Sequence, residues 1–178
     1  MGSFKNTIII IFLLSTCGLG SPIRSITAYQ NCDQKWHKEL LNGDPEKTLC
    51  QNGSLVSCIA MIMQTSAKII NNRAVNPAIL NKYLTNNNGY KQGSEINFSV
   101  LDNVGLHLVR TVSDLKTAIE YYNKNYYIVL NINYGKNYGV LIGYNEKDAI
   151  YIINNPINPQ ENKIQAKDIA VALIFKPL

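Results

Sequence analysis

The sequence has 178 residues and a formal net charge of +5, and 46% of its residues are hydrophobic. This length suits one domain rather than several. The Lys and Arg residues are scattered and form no long run, so we expect a surface with a slight basic excess and no nucleic-acid partner.

The first twenty residues have the pattern of a secretory signal. Lys5 supplies a positive charge, and residues 7–14 form an apolar run that small residues follow. This run is too short to span a bilayer, so we expect no stable membrane anchor. A lipid anchor on Cys17 is an alternative that the preceding residue fits poorly. We predict a signal peptide at 1–21, a secreted, extracytoplasmic protein, and one domain at 25–178.

Export permits disulfide bonds between the cysteines that remain. Removal of the signal takes away Cys17 and leaves Cys32, Cys50 and Cys58. Three cysteines allow three pairings, each of which leaves one thiol free. The spacing alone does not choose between them.

The first half of the domain has a helical pattern after an irregular start. Residues 25–48 are irregular and polar around the lone Trp36. Apolar residues at helical spacing predict a helix over 54–67. A second helix is expected over 76–87, where Asn-Pro precedes the apolar positions, and a third, short helix over 95–101.

The second half has the pattern of strands. A short strand is expected at 106–109, and Ser113 is expected to cap a helix that runs to Tyr122. Four further segments are rich in Ile, Val, Leu and Tyr, at 126–132, 138–144, 149–153 and 169–175. This order predicts an α+β fold, a helical half packed on an antiparallel sheet with a cleft between the two.

Five segments resemble a known family when they are taken together and in order. They are DQKW at 33–36, TLCQNGSLVSCIAM at 48–61, VNPAILNKYLTNNNGY at 75–90, GKNYGVLIGY at 135–144 and YIINNP at 151–156. The chain resembles the papain-like cysteine peptidases of family thirty-nine, the bacteriocin-leader peptidases. This resemblance covers essentially the whole mature chain and implies a papain-like fold.

Enzymes of this family use three positions that the chain has replaced. Their nucleophile is a Cys at the start of the long helix, where the helix dipole lowers the thiol pKa. A His on the facing sheet acts as base and acid, and an Asp or Asn on the next strand, normally an Asp before Pro in this family, orients it. The aligned residues here are Ser54, Asn137 and Asn155. We therefore expect no active catalytic residue and no peptidase activity.

A serine mechanism at Ser54 would need a general base within hydrogen-bond reach. The two histidines are His37, in the irregular start, and His107, in the first predicted strand. Neither is expected at the position that faces the helix start. Neither has Cys or carboxylate ligands at metal-binding spacing, so we expect no metal and no cofactor.

A cysteine elsewhere in this region is the remaining route to catalysis. Cys58 lies one turn beyond Ser54 and is expected to be a buried, inert thiol. Cys50 would become the nucleophile if the register slipped. The resemblance implies instead a Cys32–Cys50 disulfide, because relatives with cysteines in these two regions are linked there.

Five other positions have more than one interpretation. Trp36 is expected to be a packing anchor. A Gln amide completes the oxyanion hole in papain-like enzymes, and Gln30 or Gln51 is the candidate here. Asn52 and Asn97 lie in glycosylation motifs, which would carry glycans in a eukaryotic source.

The leading hypothesis is a secreted, non-catalytic papain-like domain that binds a peptide or protein segment. The rival hypothesis is an active cysteine peptidase that uses Cys58 or Cys50 as nucleophile. The expected binding cleft is formed by Gln51, Gly53, Ser54, Asn137, Tyr138 and Asn155.

Overall fold

A computed structural model describes residues 21–91, 95–133 and 137–178. The predicted signal segment with Cys17, and residues 135 and 136 of the GKNYGVLIGY segment, lie outside the described residues. Across the described ranges, no helix is both long and apolar enough to cross a membrane.

The strands form a two-stranded hairpin and a six-stranded sheet. The hairpin is β1 (Ile69–Ile70) and β2 (Arg73–Ala74), and the sheet contains β3 (Leu106–Val112), β4 (Tyr127–Ile132), β5 (Asn137–Asn145), β6 (Ile150–Asn154), β7 (Lys163–Gln165) and β8 (Ile169–Pro177). The order across the sheet is β3-β8-β4-β5-β6-β7, and every neighbouring pair is antiparallel. The predicted antiparallel sheet is confirmed. The edge strand β7 was not predicted, because three residues are too few for an alternating pattern to be recognised.

The described residues contain four α-helices beside the sheet. They are α1 (Leu49–Asn52), α2 (Ser54–Thr65), α3 (Pro77–Asn86) and α4 (Leu115–Asn123). Short 3-10 segments occur at Leu41–Gly43, Phe98–Val104 and Ala166–Asp168. Helices and antiparallel strands together confirm the predicted α+β class.

The central helix α2 is buried along most of its length, since residues 56–63 are all inside the core. It packs on one face of the sheet, where Val129, Val140 and Phe175 join its apolar cluster. The opposite face of the sheet holds a second cluster, which α4 covers. Successive side chains along each strand therefore lie on opposite faces of the sheet, as expected for a β-strand.

Local sequence explains where two helices begin. Asn76 caps α3 by accepting a hydrogen bond from the Ile79 amide at 2.9 Å, and Pro77 occupies the first helical position. The prediction that Ser113 caps α4 is wrong. Asp114 is the cap, because its carboxylate accepts bonds from the Lys116 and Thr117 amides.

The helix predicted at 95–101 is wrong in its position and type. Ile96 pairs with Tyr90 in an isolated β-bridge, which keeps this part extended. A 3-10 segment follows at Phe98–Val104 and ends where Gly105 adopts a left-handed φ of 81°. That conformation suits glycine because it has no Cβ.

Residues 21–40 form a segment that we call the strap, which crosses from the sheet to α2. Ser21 and Arg24, which precede the predicted domain boundary at 25, donate backbone hydrogen bonds to Tyr144 and Ile142 of β5. Further along, the Asn154 side chain donates to the carbonyl of Ile26 at 3.0 Å. The strap thereby links the C-terminal strands to the helical half.

Candidate functional site

The start of α2 is fixed by the short helix α1 before it. The Gly53 amide donates to the Leu49 carbonyl at 2.9 Å, and a Cβ at Gly53 would lie 2.4 Å from that oxygen. Only glycine permits this close approach without a shift of the main chain. Ser54 follows as the first residue of α2 and is 4% exposed.

The two cysteines near the start of α2 are in different chemical states. Cys50 forms a disulfide with Cys32, as the resemblance implied. Cys58 is a free thiol that is fully buried, and burial raises its pKa because the thiolate would lose its hydration. One sulfur is therefore oxidised, and the other is protonated and out of contact with solvent.

The two histidines make local contacts away from α2. His107 lies on β3, with its Nδ1 atom 2.9 Å from the Asp102 carboxylate. His37 lies on the strap, with its Nδ1 atom 3.2 Å from the Gln34 carbonyl. Within the described residues neither imidazole bonds to Ser54 or to a cysteine. The same residues contain no group of three potential metal ligands.

The segment that aligns with the family histidine begins β5. Asn137 pairs with Ile132, whose side chain lies in the cluster on the α4 side. Directly paired residues share a face of the sheet, so Asn137 lies on the face away from α2. Tyr138 pairs with Asn131 and lies on the α2 face, where it meets Leu55 and Val56 around one cavity.

The third aligned position, Asn155, is held by its own loop. Its side-chain oxygen accepts bonds from the Ile157 and Asn158 amides at 3.0 and 3.3 Å, and its nitrogen donates to the Glu161 carbonyl at 3.1 Å. The residue is 5% exposed. Both its amide oxygen and its amide nitrogen therefore bond within the turn after β6.

A cavity of 440 Å³ opens beside the start of α2. Its apolar lining comes from the helix, the sheet and the 3-10 segment: Leu41, Leu55, Val56, Ile96, Phe98, Tyr138, Val171 and Leu173. Polar and charged groups accompany this lining, including the exposed residues Asn52, Lys91 and Glu95. An apolar cavity with a few polar groups is the usual form of a ligand site. We call it the cleft cavity.

The structure brings together only part of the predicted cleft. Tyr138 lines the cleft cavity, and Asn52, which is also a predicted glycosylation site, lines it too. Asn155 instead lines a separate cavity of 170 Å³ together with Gln30. The Gln51 side chain accepts a bond from the Thr48 hydroxyl at 3.1 Å within α1. The oxyanion roles of Gln30 and Gln51 therefore stay predictions.

Two other predicted residues have clear surroundings. Trp36 is 6% exposed, packs edge-on against Tyr29 with ring centroids 5.6 Å apart, and donates its indole hydrogen to the Gln30 carbonyl. These contacts are those of a packing anchor. Asn97, the second glycosylation motif, accepts a bond from the Ser99 hydroxyl at 2.9 Å.

The sequence did not point to most of the cavity lining. Leu55, Ile96 and Leu173 have the apolar patterns of core residues and lie on three different elements. Nothing in their spacing separates a residue that lines a cavity from one that packs against a neighbour. Their grouping depends on how α2, the bridge residue Ile96 and β8 meet.

The comparisons with known proteins show a fold rather than a family. No model of a protein family matches the sequence, and no curated protein matches it. Among solved structures, the chain is similar to a double-glycine motif protease from an AMS/PCAT transporter, which was crystallised in complex with its leader peptide. The TM-score is 0.51 and the identity 12%, over 90% of this chain and 99% of that one. The likeness confirms that this chain has the papain-like fold of a double-glycine peptidase domain.

Proposed function

We propose that this protein is a secreted, non-catalytic papain-like domain that binds a peptide or protein segment in the cleft cavity. The observation that carries the proposal is the position of this cavity. It lies between the start of α2 and the sheet, beside the helix end that carries Ser54, and its lining is mainly apolar. Such a surface can take an apolar side chain of a segment that lies along it.

The non-catalytic part of the proposal is supported by the groups around Ser54. A serine hydroxyl is a weak nucleophile unless a base takes its proton. Both histidines bond elsewhere, and Asn137 lies on the other face of the sheet. The side-chain oxygen and nitrogen of Asn155 both bond within its own loop.

The rival, a cysteine peptidase, has less support. Cys50 would first have to be reduced, and Cys58 would have to leave the core before it could meet a substrate. A peptidase thiol needs a depressed pKa, whereas burial raises the pKa of Cys58.

Secretion belongs to the same proposal. The Cys32–Cys50 disulfide is consistent with an extracytoplasmic location, because disulfides persist in oxidising compartments. The signal pattern at residues 1–21 supplies the route.

A peptide array tests the binding. The protein should retain a subset of peptides with apolar anchors, and Val171→Lys should abolish that retention by placing a charge in the cleft cavity. Val109→Lys is the matched control, since Val109 is also half-buried but packs with the cluster on the other face of the sheet. Equal binding by both variants, or equal loss in both, would contradict the proposed site.

The catalytic question has its own measurement. The same peptides should remain uncleaved, and a thiol-reactive probe should leave Cys58 unlabelled in a Cys17→Ser background. If the wild type cleaves a peptide and the Cys58→Ala variant does not, the protein is a cysteine peptidase and the rival hypothesis is established.

A further inference from the structure

A second large cavity shares no lining residue with the cleft cavity. It measures 640 Å³ and lies between strap residues 34–40 and the second half of α3. A cavity of 350 Å³ lies against the β1–β2 hairpin and also touches α3. Lys82 and Asn86, one helical turn apart, line both cavities. We call the combined lining the α3 surface.

The α3 surface carries four cations and one carboxylate. Lys35, Lys38 and Lys82 line the larger cavity with Glu39, and Arg73 lines the smaller one. All five side chains are exposed. The ion pairs among the described residues, Lys47–Asp44 and His107–Asp102, include none of them.

This surface accounts for the net charge of the described protein. Of the seventeen Lys and Arg residues, Lys5 and Lys136 lie outside the described ranges, which leaves fifteen against twelve Asp and Glu. Four cations and one carboxylate lie on the α3 surface, so the rest of the described chain holds eleven of each sign. The fold has gathered cations that are scattered in the sequence. Such a patch attracts acidic partners and speeds their association.

The uncharged lining suits a polypeptide. The Gln34 and Asn86 side chains are exposed, and neither forms a hydrogen bond with a described residue. A primary amide both donates and accepts, so it can satisfy the C=O and N–H groups of a peptide backbone, whereas a phosphate backbone offers acceptors only. Leu40, which is 40% exposed in the larger cavity, adds an apolar contact.

We propose that the α3 surface docks an acidic segment of a partner protein. Lysine and arginine pair with the carboxylates of that segment, and the amides bond to its backbone. This proposal does not depend on the cleft cavity, because the two sites share no residue.

Fluorescence anisotropy of fluorescein-labelled hexaglutamate tests the proposal on the full chain. The probe should bind at low salt, and binding should weaken as salt rises. The double variant Lys38→Glu/Lys82→Glu should weaken binding about ten-fold or more, since two attractive contacts become repulsive. The control Lys147→Glu/Lys163→Glu changes the net charge equally at exposed residues outside the α3 surface and should bind as the wild type does.

Two results would overturn the proposal. Equal loss in both double variants would mean that the probe responds to net charge alone. A six-nucleotide oligothymidylate that displaces hexaglutamate at equal or lower concentration would identify a nucleic-acid surface instead. Circular dichroism of each variant separates loss of binding from loss of folding.

Discussion

At the residue scale, Asn155 occupies a position that aligns with a catalytic residue of the family, but its side chain has a structural role. Its amide oxygen accepts two backbone hydrogens while its nitrogen donates to the Glu161 carbonyl. An aspartate could satisfy the first two contacts but would direct an oxygen at that carbonyl. The loop is therefore built for an amide and disfavours the carboxylate that the family pattern has at this place.

Asn155→Asp should destabilise the protein by about 1–3 kcal/mol at pH 7, the usual cost of a buried polar group without its partner. Urea unfolding at pH 7 measures this loss.

Asn158→Asp is the control for this comparison. Asn158 lies in the same loop, and its side-chain oxygen accepts a bond from the Gln160 amide. No bond is donated by its side-chain nitrogen to a described residue. A similar loss of stability in the control would show that added negative charge, and not the Glu161 contact, is responsible.

Ser54→Cys should remain inactive toward fluorogenic peptides. A thiol at the start of α2 gains from the helix dipole, but it still needs an acid to protonate the leaving amine. The histidines that would supply it bond to Asp102 and Gln34 instead. Turnover by this variant that iodoacetamide abolishes would contradict the expectation.

At the element scale, the strap is fastened to the sheet side by Arg24. Its guanidinium donates to the backbone carbonyls of Tyr122 and Tyr126, the latter at 2.8 Å. It also stacks on the Tyr122 ring at 3.8 Å from the centroid. These contacts lie at the C-terminal end of α4, where the helix dipole makes a positive charge favourable.

Arg24→Ala should lower the free energy of unfolding by about 1–3 kcal/mol, because the half-buried Tyr126 carbonyl loses its guanidinium donor, the Tyr122 carbonyl keeps only backbone donors, and the ring contact is removed. Arg24→Lys should recover only part of the loss, since an ammonium cannot reproduce the planar, forked geometry. Thermal unfolding by circular dichroism is the measurement. Arg110→Ala, at an exposed arginine without an ion pair, should be close to neutral.

The other fastening of the strap is covalent. The Cys32–Cys50 bridge joins residues 18 positions apart. Such a bridge lowers the entropy of the unfolded chain and so stabilises the folded protein by about 3 kcal/mol. Cys32→Ala/Cys50→Ala should lose about that amount in urea unfolding. Dithiothreitol should destabilise the wild type to a similar extent and leave the double variant unchanged. A wild type that is insensitive to full reduction would contradict the expected role.

At the scale of the whole molecule, the features that could be predicted from the sequence are those that depend on neighbouring residues. The helices α2 and α3 and five strands of the sheet follow from periodicity, and the Asn76-Pro77 start of α3 follows from capping chemistry. Contacts between distant segments could not be predicted in this way. The cleft cavity joins six parts of the chain, and the face on which Asn137 lies depends on its pairing with Ile132.

The same distinction applies to charge. Lys35 and Lys82 are far apart in sequence, and no run or spacing unites them. Only the packing of the strap beside α3 places them around one cavity. Basic residues that are scattered in the sequence thus form a local excess of positive charge on the folded protein.

The strap also constrains the order in which the chain can fold. Its side-chain bonds to Tyr122, Tyr126 and Asn154 join partners 98 to 128 residues apart. A chain that is synthesised or moved across a membrane from its N-terminus presents the strap well before these partners. These strap contacts therefore form only once β6 has emerged, and folding cannot be complete before that point.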